Sequence, residues 1–257
     1  MIKRLQNIIN RGYTLAIILG ILLMWQVACT LEWVPPYMLP SPMQVGKAFV
    51  TEFEALMGHL MVSLSEAFFG LGLSICGAFI LAVLMDRYKK FDQAVYPLLI
   101  ISQTVPVIAI APLLVLWMGY GMAPKVMVIF LVCFFPMTIG LLDGFKSSDQ
   151  DAIRLMQSMG AKANQIFVHI KLPYAMPHFF AGLKVSVSYA VIGAVVAEWL
   201  GGTSGLGVYM TRVRKSYAFD KMFAVIFLVS IISLLLMKGV SLLETKLMPY
   251  KNKGAEK

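Results

Sequence analysis

The chain has 257 residues, of which 59% are apolar and only 14% charged, with a mean hydropathy of +0.79 and a formal net charge of +9. Soluble domains are roughly 45–50% apolar and about 25% charged, so a soluble enzyme or carrier is excluded and a polytopic membrane protein is expected. The positive charge calls for no nucleic acid, because anionic lipid at an inner membrane surface already attracts it.

A helix crosses a bilayer with about 17–25 apolar residues. Six such stretches occur in chain order: 13–31, 60–85, 93–118, 125–142, 179–198 and 222–243. No alternating barrel pattern is present, and helices pair their own backbone groups inside hydrocarbon. The expected fold is therefore all-α and integral to the membrane. Residues 13–243 form a six-helix domain, 1–12 and 244–257 are short cytoplasmic ends, and 143–178 is a cytoplasmic loop between the fourth and fifth spans.

Lys3 and Arg4 precede an apolar run, but that run is too long for a secretory signal and no small-residue cleavage site follows it. It is expected to be a retained span. Cys29, Cys76 and Cys133 form no C-x-x-C pair and are expected to pack as small apolar side chains.

In the second span Glu66, Gly70, Ser74, Ala78 and Ala82 recur every four residues, a ridge of small side chains with a carboxylate at one end. The ridge allows close helix packing, while a carboxylate at membrane depth is a functional candidate. Pro97, Pro106 and Pro112 weaken the third span by removing backbone donors, beside Ser102, Gln103 and Thr104. Loosened backbone and polar groups at this depth line a cavity or are buried in protein, so Gln103 and Thr104 are path candidates.

The polar insert follows the fourth span. Asp149 to Asp151 place acids at the start of a helix expected to run through Met159, and Gly160 is expected to end it in a left-handed turn. A second short helix is expected from Lys162, with Ile166, Phe167 and Ile170 on one side, ended by Leu172 and Pro173. It reads as an amphipathic peg facing the cytoplasm, or as an interfacial helix lying on headgroups.

The fifth span repeats the small-residue ridge with Gly182, Ser186, Ala190 and Ala194, continuing to Glu198 near the outer boundary. Ser186 and Glu198 join Glu66 as path candidates. The basic run from Arg212 to Lys221 is expected to be a surface helix on the outer face.

Orientation comes from the cations. With the N-terminus inside, the cytoplasmic pieces hold Lys3, Arg4, Arg11, Arg87, Lys89, Lys90, Lys146, Arg154, Lys162, Lys171, Lys246, Lys251, Lys253 and Lys257. The outer pieces hold only Lys47, Lys125, Arg212, Arg214, Lys215 and Lys221. Both termini are therefore expected in the cytoplasm. Inside spans the cations are limited to Lys184 and Lys238, near cytoplasmic ends where they can snorkel. Acid and amide groups along the path suit a neutral or weakly basic heteroaromatic amine better than a sulfonate or nitrate.

Gly160, Ile170, Leu172 and Pro173 spell G-x9-I-x-L-P. This spacing resembles the cytoplasmic loop motif E-A-A-x3-G-x9-I-x-L-P of permease subunits of bacterial binding-protein-dependent ABC importers, whose loop docks into a groove on the ATPase. The E-A-A positions hold Arg154, Leu155 and Met156. A cation in place of the glutamate implies a changed partner surface or a contact through Asp151.

The likeness extends from Leu39-Pro40-Ser41-Pro42 to Pro249. It passes through Ser102-Gln103-Thr104-Val105-Pro106, Ala111-Pro112-Leu113-Leu114, Trp117-Met118-Gly119-Tyr120-Gly121, Phe134-Phe135-Pro136 and Gly205-Leu206-Gly207. These segments are similar to the nitrate, sulfonate and taurine group, and within it to the branch for pyrimidine precursors of thiamine. The resemblance implies an inner-membrane homodimer, two cytoplasmic ATPase subunits and an extracytoplasmic solute-binding protein. It implies no cofactor in this chain, with ATP and magnesium held by the ATPase. The implied ATPase-coupling residues are Asp151, Arg154, Gly160, Ala161, Lys162, Gln165, Ile166, Phe167, Ile170, Leu172 and Pro173.

Two other classes fit poorly. A membrane enzyme needs a nucleophile or metal constellation, yet there is no H-E-x-x-H or G-x-S-x-G, and His59, His169 and His178 are dispersed. A channel or scaffold would work without nucleotide. No G-x4-G-K-[ST] loop is present, so any ATP is expected to be hydrolysed by another chain.

Overall fold

Glycines set the centre of the fold. Helix α6 (Met122–Lys146) and helix α9 (Leu172–Gly201) approach closely where Gly144 meets Ala175, Gly140 meets His178, Gly182 meets Pro136 and Gly193 meets Ile129. Residue numbers fall along one helix as they rise along the other, so the pair is antiparallel. A Cβ at Gly140 would lie 2.9 Å from the His178 carbonyl oxygen, too close to be tolerated without movement. Small residues let membrane helix backbones approach in this way.

The computed structural model describes residues 2–35 and 38–248, with side chains placed from residue 12 onward. The side chains of Lys3, Arg4 and Arg11, and the tail residues Pro249, Lys251, Lys253 and Lys257, lie outside the described residues. All described regular elements are helical. The chain divides into two compact units, Met1–Gly58 with Tyr209–Leu228, and His59–Val208 with Val229–Lys257.

The first unit contains α1 (Ile2–Thr30), α2 (Pro42–Thr51) and the first turns of α11 (Phe219–Leu247). Ser41 and Gln44 form a capping box that starts α2, with Ser41 Oγ accepting the Gln44 amide at 3.3 Å and Gln44 Oε1 accepting the Ser41 amide at 2.8 Å. Trp25 of α1 stacks beside Phe223 and Phe227, and Val45, Ala48 and Ala224 are buried nearby.

The second unit is built on α3 (Phe53–Arg87), whose small-residue ridge packs on α6. Gly70 lies against Ile129, Ser74 Oγ donates to the Phe130 carbonyl at 3.2 Å, and Gly77 lies against Phe130 and Phe134. Numbers rise together here, so α3 and α6 are parallel. The intervening α4 (Lys89–Thr104) and α5 (Val107–Met118) must therefore carry the chain back across the bilayer between them.

That crossing is broken. The expected third span bends by 98° between α4 and α5, at Val105-Pro106. Pro106 has no amide proton to continue the helix, and the residue before it is pushed to extended backbone, as Val105 is at φ −80 and ψ 122. Among the described residues five helices are long and apolar enough to cross a bilayer, and six if this bent pair counts as one span.

A second difference concerns the polar insert. Leu172 and Pro173 do not end a helix; they begin α9. A short helix α8 (Ala163–Ile166) runs through a π-helical turn, Phe167–Lys171, directly into it. The wider π turn bonds the Leu172 amide to the Phe167 carbonyl and leaves Pro173 in a first-turn position that needs no donor. The insert between spans thus narrows to residues 147–171, and α11 continues to Leu247.

Candidate functional site

At one end of the second unit, Asp149 caps α7 (Gln150–Ser158), its Oδ1 accepting the Asp151 and Ala152 amides at 2.9 and 3.3 Å. Gly160 follows at φ +82 and closes the helix with two bonds, Gly160 N to Gln157 O and Ala161 N to Met156 O, both 3.0 Å. This is the double-bonded termination that left-handed glycine allows. Gln165 Oε1 then accepts the Lys162 amide at 2.7 Å to start α8.

Of the motif residues, Ile166 and Ile170 face inward, buried with Ile153 against Ala152, Met156 and Ala161, and Phe167 packs on Phe145. The peg therefore buries its apolar side in its own hairpin. The outward face carries Asp151, Arg154, Lys162 and Gln165, with Leu155 62% and Met159 77% exposed. Arg154 pairs with Asp151 at 3.6 Å on that face. Exposed Leu155 and Met159 beside these polar groups form a surface suited to a protein partner, and their spacing alone could have found them in the sequence.

The hairpin is tied to α3 by polar contacts. Lys171 Nζ donates to both Asp86 oxygens at 2.7 and 3.0 Å, and Arg87 donates to Asn164 Oδ1 at 2.9 Å. Lys146 sits 3.8 Å from Asp92 and over the Tyr96 ring. These contacts border a cavity of about 970 Å³.

A second polar belt closes the opposite end. Lys125 donates to Glu66 at 2.5 Å, with Glu66 3% and Lys125 6% exposed. Glu198 accepts Ser63 Oγ at 2.6 Å and the Gly207 amide at 2.5 Å, Ser63 Oγ accepts the Leu206 amide at 2.9 Å, and the His59 ring accepts the Gly205 amide at 3.0 Å. Gly205 stands at φ +118, and a Cβ there would fall on the Glu198 carboxylate. The Gly205-Leu206-Gly207 turn is thus clasped by side chains of α3 and α9.

Along α3 the rise from Glu66 to Asp86 is about 30 Å at 1.5 Å per residue, close to the hydrocarbon thickness of a bilayer. The two polar clusters are thus about a bilayer's thickness apart, and the Glu66 charge is matched by Lys125. Lys125, expected in an outer segment, is buried on α6, so the cations within spans are not limited to Lys184 and Lys238. The expectation of a carboxylate free to meet an amine gives way to a buried ion pair. Lys184 itself pairs with Glu244 of α11.

The path candidates separate accordingly. Ser186 is fully buried and donates to the Cys133 carbonyl at 3.0 Å, while Cys133 Sγ reaches the Ser186 carbonyl at 3.2 Å, so this pair joins α6 to α9. Glu66 and Glu198 lie in the belt. Gln103 and Thr104 are exposed on the last turn of α4 at the helix break, with Thr104 Oγ1 donating to the Ile101 carbonyl at 2.7 Å.

Residues 74–248 match the family model described as "Binding-protein-dependent transport system inner membrane component". A formylaminopyrimidine transport permease protein of Halalkalibacterium halodurans, ThiX, is 39% identical over 91% of this chain and 94% of its own length. The taurine transport system permease protein of Escherichia coli, TauC, is 30% identical over 92% of this chain and 88% of its own. Among solved structures, an ABC transporter importing the acidic polysaccharide alginate superposes with a TM-score of 0.66 at 16% identity, covering 95% of this chain and 99% of that one. The MetNI methionine ABC transporter superposes with a TM-score of 0.61 at 17% identity, covering 76% and 94%.

Proposed function

The chain belongs to the binding-protein-dependent transport system inner membrane components, and from that premise we propose that two copies of it enclose a path for an aminopyrimidine precursor of thiamine. Family membership makes it the membrane-spanning permease of an ABC importer in the inner membrane, a transport subunit that works with an ATPase and a solute-binding protein. In our reading residues 147–171 and both termini face the cytoplasm. Two ATPase subunits, holding ATP and magnesium, grip the face of Asp151, Arg154, Leu155 and Met159. The solute-binding protein delivers from the other side, and ATP-driven closure switches a bistable bundle between outward and inward access.

The observation that carries the solute assignment is the likeness to the formylaminopyrimidine permease along nearly the whole chain. The path chemistry agrees with it: Gln103 offers both a donor and an acceptor, and Thr104 a hydroxyl, where α4 breaks at membrane depth. Such neutral groups suit the exocyclic amine and ring nitrogen of an aminopyrimidine. Proteoliposomes holding permease, ATPase and binding protein are expected to accumulate labelled formylaminopyrimidine and to ignore taurine. A preference for taurine would transfer the assignment to the sulfonate branch.

Two substitutions probe the path and the docking face. Gln103→Leu keeps the bulk but removes two hydrogen-bonding groups. It is expected to lower uptake by about tenfold, the scale of one lost hydrogen bond of about 1.5 kcal/mol, with assembly intact. Uptake equal to wild type would take Gln103 off the path. Gly160→Val meets no steric obstacle, since nothing lies within 4 Å of a Cβ there, but φ +82 is strained for a β-branched residue. The expected result is impaired uptake and weakened coupling to the ATPase in a bundle whose melting temperature is unchanged. Wild-type coupling would argue against the hairpin as the docking element.

A further inference from the structure

The helix α10 (Leu206–Lys215) starts at the belt opposite the coupling hairpin, where the Leu206 amide donates to Ser63. Its apolar stripe is used up inside the protein: Leu206, Val208, Tyr209 and Val213 are all buried. Its last turn presents Arg212, Arg214 and Lys215 to solvent. The next residues end in Tyr217, 75% exposed and held at φ 56 by bonds from the Tyr217 amide to Arg214 O at 3.2 Å and from the Ala218 amide to Val213 O at 2.9 Å. This is the same double-bonded helix end that Gly160 makes, here with a bulky residue in the left-handed position.

The base of this tip is braced. Glu52 accepts the Lys221 ammonium and, at 3.3 Å, the Tyr209 hydroxyl. The hydrogen bond from Lys221 holds the Glu52 carboxyl below the usual carboxylate range. The brace is therefore fully present above that range and is lost only as the pH falls through the lowered value, far below neutrality.

Cations on an outer surface run against the inside bias and need a reason. Lipid is a poor one. An interfacial helix inserts its apolar face among acyl chains and rests its cations on headgroups, whereas here the apolar face is already occupied by protein. Arginine and tyrosine on a rigid support are instead the residue types that anchor protein interfaces, and like-signed charge steers an oppositely charged partner onto them. We propose that the tip formed by Arg212, Arg214, Lys215 and Tyr217 is the landing point for an acidic patch on the solute-binding protein. The proposal rests on the proposed cytoplasmic placement of both termini, which puts the residues that precede α11 outside.

The test uses the assembled permease and ATPase in nanodiscs, with the solute-binding protein of the same transporter as probe. Arg214→Glu with Lys215→Glu is expected to weaken binding by about tenfold or more at low salt, to flatten the salt dependence, and to leave ATPase activity without binding protein unchanged. Reversing acidic residues on the binding protein is expected to restore affinity to the variant. Unchanged affinity overturns the proposal. So does a loss seen only in nanodiscs of anionic lipid, which assigns the cations to headgroups. Orientation is measured separately with Ser216→Cys and a membrane-impermeant maleimide, against the wild-type cysteine background. Labelling confined to inverted vesicles overturns the outer placement of the tip, and the docking with it; labelling from outside with unchanged affinity overturns the docking alone.

Discussion

Lys125→Met is expected to be the most destabilising single change in the second unit, costing about 3–5 kcal/mol. The methionine fits the space, but it leaves the Glu66 carboxylate buried without its cation. Glu198 worsens this, because it lies within electrostatic reach of both Glu66 and Lys125. Removing the lysine leaves two acids facing each other with no counter-charge. The variant is expected to melt well below wild type in detergent and to accumulate poorly in the membrane. Adding Glu66→Gln is expected to recover much of the loss, since it removes the acid that lost its partner. A melting temperature equal to wild type for Lys125→Met would show that the belt is not a paired cluster.

The same geometry separates a lock from a path. Glu66→Gln alone is expected to lower the yield of assembled transporter while leaving uptake per assembled transporter near wild type. A selective fall in uptake would return Glu66 to the solute path. The belt holds the Gly205-Leu206-Gly207 turn through Glu198 and Ser63, so its job is to fix α3 and the ends of α6 and α9 against that turn.

What the sequence revealed here follows physical range. The spans were legible because apolar length is a local property, and the ridge from Gly70 to Ala82 because its spacing of four is the helix repeat. Gly160 was legible because a left-handed helix end leaves a local signature. The break at Pro106 was half legible: prolines announced a weakened helix, but a 98° bend depends on what packs around it. Pro173 misled, since a helix can carry proline after a π turn and nothing local announces that turn. Pairings between distant residues were out of reach. Lys125 read as a loop cation because its partner is on another helix, and Lys171 read only as a cytoplasmic cation, with nothing to point to Asp86. The direction of the peg was also hidden, because Ile166 and Ile170 satisfy the amphipathic pattern equally well whether they face a partner or their own hairpin.

Charge reversal at Lys171 is expected to disconnect transport from ATP hydrolysis. Lys171 sits at the junction of the coupling hairpin and α9, and its half-buried bidentate contact with Asp86 joins the hairpin to α3. A cavity of about 970 Å³ opens beside this contact, so the polar tether works alongside the packing of Phe167 on the core that includes Met85. Helix α3 is a stiff rod that also carries Ser63 and Glu66, so a pull on Lys171 reaches the opposite belt through about 30 Å of helix. In Lys171→Asp the tether becomes a repulsion, about 4 kcal/mol for like charges 4 Å apart at an effective dielectric constant of about 20. Uptake is expected to fall by about tenfold or more, a change matched by as little as 1.4 kcal/mol of that repulsion, while ATPase activity persists. The exchanged pair, Lys171→Asp with Asp86→Lys, restores attraction across the same gap and is expected to recover a large part of uptake. If the exchanged pair stays as inactive as the single variant, Lys171 acts on the ATPase directly, and α3 is not the rod that carries its motion.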